Sequence, residues 1–482
     1  MLSQMLLRKS VNKMNRVNDK MILKISDTFH EAAMLYYHGS INEEVDNTRV
    51  TNYNLEKGRL NYYESLLQVI NYFLDIDDIN SSYLEEETIE KITTLFKELD
   101  QAIEENGLNS EETCLLTEAM LNSGKTIDLS SIPGVKVDKH STGGVGDKTT
   151  LIVAPIVASC DVPVAKMSGR SLGYTGGTID KLESIPGYKV NIPIDDFIKQ
   201  VSEIKVCIST TTENLAPADK KIYALRDVTG TVSSKSLIAA SIMSKKLATG
   251  ADKILLDVKY GKGALVNTKE EAVELARLMV YIGNKHGKET KALVTNMNYP
   301  LGSMIGNSLE LKEVIQILNG RGNKDLRDLC VVLSSYMISM SKNIDFISAQ
   351  GEVLEAIRTG KAYRKFLEFI TYQGGDLRYV KISNNVVEVK STKEGYLNDV
   401  DALEIAKCAL KLGAGRTYKD ELIDHSVGIE IIKNIGEYIN VGDTLARAYV
   451  GDKTIDFNEI ASAFKISLIK EDKEPLIYGT IK

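Results

Sequence analysis

The residues best suited to chemistry fall in one short stretch, Lys139-His140-Ser141-Thr142-Gly143-Gly144-Val145-Gly146-Asp147-Lys148-Thr149-Thr150. It follows a short apolar run and precedes a segment able to form a helix. Glycines lack a Cβ, so backbone N–H groups can close round an anion there, and the hydroxyls and a lysine add donors. That combination suits phosphate. A nucleoside-triphosphatase loop is disfavoured, because its lysine directly follows the second glycine, whereas Asp147 separates Gly146 from Lys148 here. A second glycine-rich stretch, Ser168-Gly169-Arg170-Ser171-Leu172-Gly173-Tyr174-Thr175-Gly176-Gly177-Thr178, carries hydroxyls at both ends. If neighbouring strands present both loops, Ser141, Thr150, Ser168, Thr178 and a lysine surround one tetrahedral oxyanion. Either loop alone reads equally well as a tight turn of an α/β protein; their co-occurrence favours the anion.

A third group is Arg226 with Ser241 and Lys245. Four residues apart on a helix, Ser241 and Lys245 share one face and can enter a single cleft. Their donors match a ring edge bearing carbonyl oxygens, such as that of uracil or thymine. A solvated helix face carrying Lys245 and Lys246 is the plainer alternative. Of the five histidines, only His140 is distinguished by position. Within the first loop it could donate to a base or carry a proton.

The elements that must position these groups change character along the chain. Residues 1–128 hold almost no Gly or Pro and show helical apolar spacing, as in Tyr63, Leu66, Leu67, Ile70 and Phe73. From Ser130 glycines cluster, and β-branched runs such as Thr150-Leu151-Ile152-Val153 and Ile254-Leu255-Leu256-Asp257-Val258 alternate with amphipathic stretches, as in a parallel α/β sheet. Residues 217–246 again look helical. Past residue 380, KISNNVVEVKSTKEGYL and GEYINVGDTLARAYV read as short strands with tight turns. The expected fold class is α/β: a small all-helical domain (1–128 with 217–250), a larger α/β domain with a mixed or parallel sheet (129–216 with 251–380), and a small C-terminal α+β domain (381–482).

Composition narrows the function. A chain of 482 residues exceeds one hydrophobic core. Its formal net charge of -7 offers no global attraction to nucleic acid or anionic lipid. The five cysteines stand singly, without a CxxC pair, which suits a reducing cytoplasm rather than a disulfide framework or zinc cluster. We read no signal peptide and no run of 18 apolar residues, and so expect neither secretion nor a membrane span.

The stretches VDKHSTGGVGDKTTLIVAPIVASCDVPVAKMSGRSLGYTGGTIDKLESIPG and PADKKIYALRDVTGTVSSKSLIAASIMSKK closely resemble the thymidine and pyrimidine-nucleoside phosphorylase family. LLDVKYGKGA, YPLGSMIGNSLELKEVI, QGGD and LGAGR continue the likeness, which covers roughly residues 100–482. The resemblance implies a helical domain hinged to an α/β domain, with phosphate on the α/β side and the base on the helical side. It implies that Lys139, Ser141, Thr150, Ser168 and Thr178 bind phosphate, and that His140, Tyr223, Arg226, Ser241 and Lys245 bind the pyrimidine, with Leu172 lining its pocket. His140, Arg226 and Lys245 are the catalytic candidates. The implied reaction is reversible phosphorolysis of thymidine, deoxyuridine and, as a wider specificity, uridine, by a homodimer acting on inorganic phosphate and a nucleoside. No cofactor is required; a structural monovalent cation held by backbone carbonyls near Gly143 and Leu265 would leave little trace in side chains.

Ser171 and Tyr174 stand where the family usually has Gly and His. Ser209-Thr210-Thr211-Thr212 replaces a Gly-Gln-containing stretch, and the first 100 residues fit the family poorly. Three rival readings remain. A nucleoside-monophosphate phosphorylase would share the loops, but the N-terminal extension here looks helical rather than β-rich. An anthranilate phosphoribosyltransferase-like enzyme has no place for PADKKIYALRDVT. A catalytically silent homologue would account for the altered loop residues.

Overall fold

Strand β1 (Val137–Ser141) carries the first glycine-rich loop at its C-terminal end, and helix α2 (Thr149–Ser159) follows, α1 being Ser110–Asn122. In this computed structural model the described residues are 108–170, 176–211, 215–219, 222, 234–416 and 421–482. The helical expectation for the first hundred residues, and the positions Ser171, Leu172, Tyr174, Thr212, Tyr223 and Arg226, lie outside them. The chain divides into two compact units, Met1–Lys125 with Glu213–Ala248, and Thr126–Thr212 with Thr249–Lys482.

Helix α1 opens with a capping box. Asn109 accepts from the Glu111 and Glu112 backbone N–H groups, while the Glu112 carboxylate takes the Asn109 N–H. Its buried side chains Leu116 and Met120 belong to the first unit, which also holds a long helix in Lys235–Ala248, described below as α5.

In the second unit β2 (Val164–Ser168) leads to α3 (Thr178–Glu183), and α4 (Ile194–Ile204) leads to β3 (Val206–Thr210). After α5 (Lys235–Ala248), the chain continues with β4 (Lys253–Tyr260), α6 (Lys269–Lys285) and β5 (Glu289–Asn296). β1, β4 and β5 run parallel, with Ser141 opposite Asp257 and Lys259 opposite Thr295. β2 and β3 form a separate parallel pair. β4 is buried along nearly its whole length, which explains its apolar run: a strand covered by helices on both faces needs no polar alternation.

The run Thr150-Leu151-Ile152-Val153, expected from its β-branched character to be strand-like, lies instead inside α2. All eleven residues of α2 are buried. A helix covered on every side shows no amphipathic period, so a short apolar run cannot be told from a buried strand.

The remaining elements are β6 (Met304–Ile305), α7 (Asn307–Leu318), α8 (Lys324–Lys342), α9 (Phe346–Arg358), α10 (Lys361–Tyr372), β7 (Val386–Lys390), β8 (Gly395–Val400), α11 (Ala402–Lys411), β9 (Gly428–Ile431), β10 (Tyr438–Ile439), β11 (Thr444–Tyr449), α12 (Phe457–Ser462), β12 (Phe464–Ser467) and β13 (Ile477–Ile481). Helices α2, α8, α9 and α10 share one apolar core with β1 to β3, including Leu151, Ile156, Leu333, Val353, Phe366 and Phe369. The expected short C-terminal strands form two antiparallel sheets, β10-β8-β12 and β6-β9-β11-β7, around a second core of Leu397, Ile405, Ile429 and Ala446. β13 returns to pair antiparallel with β5, so the main sheet is mixed, in the order β1-β4-β5-β13.

Candidate functional site

The parallel strands deliver their C-terminal ends to one place, where an open α/β sheet binds ligands. Lys139 and Ser141 on β1, Asp257 and Lys259 on β4 and Thr295 on β5 are brought to one side of the sheet by register and strand alternation. Lys139 Nζ donates to Thr149 Oγ1 at 2.5 Å, and Thr149 Oγ1 donates to Asp147 Oδ1 at 2.6 Å. The second Asp147 oxygen accepts from Ser141 Oγ at 2.5 Å, and Ser141 Oγ accepts from the Gly143 N–H at 3.2 Å. Beneath them Asp257 pairs with Lys259 at 2.9 Å and Lys139 at 3.6 Å, and accepts from Thr295 Oγ1 at 2.7 Å.

Two lysines and two aspartates thus share one cluster, in which Lys139, Lys259 and Asp257 are buried and Asp147 half-buried. Burial alone would raise the Asp147 pKa, but Lys259, Lys139 and the hydroxyls of Ser141 and Thr149 outweigh it and hold the carboxyl far below its usual range. Lys259 shows the mirror case. Burial would lower its pKa, yet Asp257 and Asp147 raise it above the ordinary lysine value. Asp147 and Lys259 are thus each held in the charged form by their surroundings.

Thr150 follows Thr149 in the first turn of α2 and is buried. His140, half-buried, alternates to the opposite face of β1 from Lys139 and Ser141. Ser168 ends β2 and Thr178 opens α3. The Ile179 N–H donates to the Gly169 carbonyl at 3.4 Å, closing the second loop's ends on each other. Val145 and Gly146 of the first loop and Gly176 of the second line one small cavity with Gly306, Asn307 and Glu310. The two glycine-rich loops are therefore neighbours. Asp147 and Thr149 were named in the first loop but given no role, and Asp257, Lys259 and Thr295 were not assigned to the site, although the polar Asp257 and Lys259 inside an apolar strand were a usable signal.

In the first unit, Ser241 and Lys245 lie on α5 as the four-residue spacing requires. Lys245 Nζ donates to Ser241 Oγ at 3.3 Å and to Asp219 Oδ2 at 2.7 Å. Asp219, also unforeseen, is buried and anchors the lysine from the preceding segment. Leu172, Tyr223 and Arg226 lie outside the described residues. Among the described residues, no group of three or more His, Cys, Asp or Glu side chains is arranged to hold a metal ion, and no helix is long and apolar enough to cross a membrane.

Residues 134–363 match the glycosyl transferase family a/b domain, and residues 396–468 match the pyrimidine nucleoside phosphorylase C-terminal domain. The paired matches, with the α/β sheet and its loops, define a glycosyl transferase. The pyrimidine-nucleoside phosphorylase of Staphylococcus epidermidis is 50% identical over 365 residues, spanning 74% of this chain and 84% of the relative. That of Bacillus subtilis is 48% identical over 391 residues, spanning 80% and 90%. The chain belongs to the pyrimidine-nucleoside phosphorylase family. Among solved structures, the anthranilate phosphoribosyltransferase of Saccharomyces cerevisiae in complex with PRPP and Mg aligns with a TM-score of 0.49 at 13% identity, covering 65% of this chain and 93% of that one; so distant a likeness has no bearing on the chemistry.

Proposed function

We propose that this protein splits pyrimidine nucleosides with inorganic phosphate, releasing the free base and a pentose 1-phosphate, reversibly, with thymidine and deoxyuridine as substrates and uridine as a further one. The observation that carries this reading is the hydrogen-bonded Lys139–Thr149–Asp147–Ser141 cluster under a glycine-rich loop at the C-terminal edge of the sheet, in a chain of this family.

Phosphate is held by Lys139, Ser141, Thr150, Ser168 and Thr178, with Thr149 orienting Lys139. The pyrimidine is held by His140, Leu172, Tyr223, Arg226, Ser241 and Lys245. A phosphate oxygen attacks the anomeric carbon as the bond to the ring nitrogen breaks, through an oxocarbenium-like transition state. The electron pair leaves with the base, and the proton carried in by phosphate balances the charge on the departing ring. The protein orients the two reactants and stabilises the negative charge developing on the pyrimidine, for which Arg226 and Lys245 supply the cationic donors. Neither group has to transfer a proton. Closure of the two substrate-binding parts would exclude water that competes with phosphate.

The remaining expectations belong to the same reading: a cytoplasmic homodimer, no required cofactor, and a monovalent cation among carbonyls near Gly143 and Leu265. Incubating purified protein with thymidine, deoxyuridine or uridine, with and without phosphate, and following free base tests it. Phosphate-dependent base release is expected. Base release indifferent to phosphate, or none from any nucleoside, would overturn the assignment.

A further inference from the structure

The Leu412-Gly413-Ala414-Gly415-Arg416 stretch follows α11, far along the chain from the anion-binding loops, yet within the second unit it reaches the base of one of them. The turn is tight: the Ala414 N–H closes on the Ala409 carbonyl at 3.0 Å, and Gly413 takes φ +101°, which a side chain would resist. Asn307 Nδ2, at the start of α7, donates to the Ala414 carbonyl at 3.3 Å. Arg416 Nη1 then donates to Asp180 Oδ1 at 2.7 Å.

Asp180 lies in α3, directly after the second glycine-rich loop, and its side chain is 1% exposed. Its other oxygen accepts from the Gly177 N–H at 3.2 Å. The adjacent Lys181, also buried, donates to the Gly176 carbonyl at 2.6 Å and pairs with Glu310 at 3.3 Å. The peptide linking Gly176 to Gly177 is therefore gripped from both ends, by an ammonium on its oxygen side and a carboxylate on its nitrogen side. Asp180 and Glu310 are both buried carboxylates, and Lys181 pairs with Glu310. Arg416 brings a positive charge onto Asp180, and removing it would take the guanidinium hydrogen bond from a buried carboxylate that also holds the Gly177 N–H. A guanidinium suits the task because it stays charged when partly buried.

We propose that Arg416 is a positioning residue for the anion site. Acting through Asp180, it fixes the turn at Gly176 and Gly177, and so the placement of Thr178. The C-terminal part of the chain thereby sets phosphate affinity without touching phosphate. This rests on the reading of Thr178 and Lys139 as phosphate ligands.

The test compares the full-length wild type with Arg416→Gln, Arg416→Lys, Asp180→Asn and Lys139→Ala, measuring equilibrium binding of inorganic phosphate and the KM of each substrate. Arg416→Gln is expected to weaken phosphate binding and raise its KM about tenfold, the scale of one charge-assisted hydrogen bond, with the nucleoside KM unchanged. Arg416→Lys should restore most of the loss. Asp180→Asn should reproduce it, and adding Arg416→Gln to Asp180→Asn should cost no more. Unchanged phosphate affinity in Arg416→Gln, or an equal loss for both substrates, overturns the proposal while Lys139→Ala still abolishes binding. If Lys139→Ala binds phosphate normally, the phosphate reading itself fails and this proposal with it. Should Arg416→Gln not fold, Asp180→Asn decides: weaker phosphate binding at an unchanged nucleoside KM supports the role, and wild-type affinity refutes it.

Discussion

Lys245 and Asp219 form an ion pair, Nζ to Oδ2 at 2.7 Å, in which the carboxylate is 6% exposed and the lysine 34%. The buried partner is thus the fixed point and the lysine the group it aims. A cation that must meet charge developing on a leaving base gains from being held in advance, since reorientation in the transition state is avoided. Lys245→Ala or Arg226→Ala is expected to lower thymidine turnover by on the order of a hundredfold or more, as for lost oxyanion donors. Asp219→Asn should lower it less, by about tenfold, with the phosphate KM unchanged. Steady-state kinetics decides, and near-normal turnover in both cation variants removes them from the mechanism.

The neighbours Thr149 and Thr150 should be separable. Thr149 carries the hydrogen bond from Lys139 and passes one to Asp147, so Thr149→Ala should loosen the lysine and also destabilise the fold. Thr150→Ala removes only a hydroxyl proposed to meet phosphate. Its phosphate KM should rise about tenfold at an unchanged melting temperature. A lowered melting temperature in both variants would make Thr150 structural as well.

Asp147 links acid stability to the site. Its folded pKa is depressed because Lys259, Lys139 and two hydroxyls outweigh the effect of burial. Its stabilisation is therefore complete above the ordinary aspartate pKa, about 3.9, and is lost progressively as pH falls below that value. Asp147→Asn should cost about 1–3 kcal/mol at neutral pH, as for hydrogen bonds to a charged group, and its stability should decline less steeply in acid. Denaturant melts at several pH values measure both; parallel acid limbs would show that Asp147 does not contribute through its charge.

Two glycines of the first loop should differ. Both have positive φ, +88° at Gly143 and +76° at Gly146. A Cβ on Gly143 would meet nothing within 4 Å, whereas one on Gly146 would meet the Leu301 carbonyl oxygen at 2.6 Å. Gly143→Ala should cost only the left-handed backbone penalty, about 1–2 kcal/mol. Gly146→Ala should cost more, because the colliding atom is backbone and cannot rotate away. Equal melting temperatures would contradict the geometry.

The sequence carried the chemistry-bearing loops because glycine, hydroxyl and lysine at close spacing are local signals. The α5 face bearing Ser241 and Lys245 was legible for the same reason, since helical spacing is local. Asp219 was not, because its pairing depends on how a separate segment lies against α5. Asp257, Lys259 and Thr295 became part of the site only through strand register, which joins residues more than a hundred positions from Lys139. The misread run in α2 shows the same limit: full burial erases the period that separates helix from strand.

The pairing of β13 with β5 spans much of the C-terminal half of the chain. Hydrogen bonds that link such distant stretches form only after the costly closure of a long loop, which slows folding. On a ribosome, the edge of β5 would stay unzipped while the whole C-terminal region was still being made. During that interval it would present an open ladder to any extended peptide nearby, and the arrival of Ile477–Ile481 would cover it.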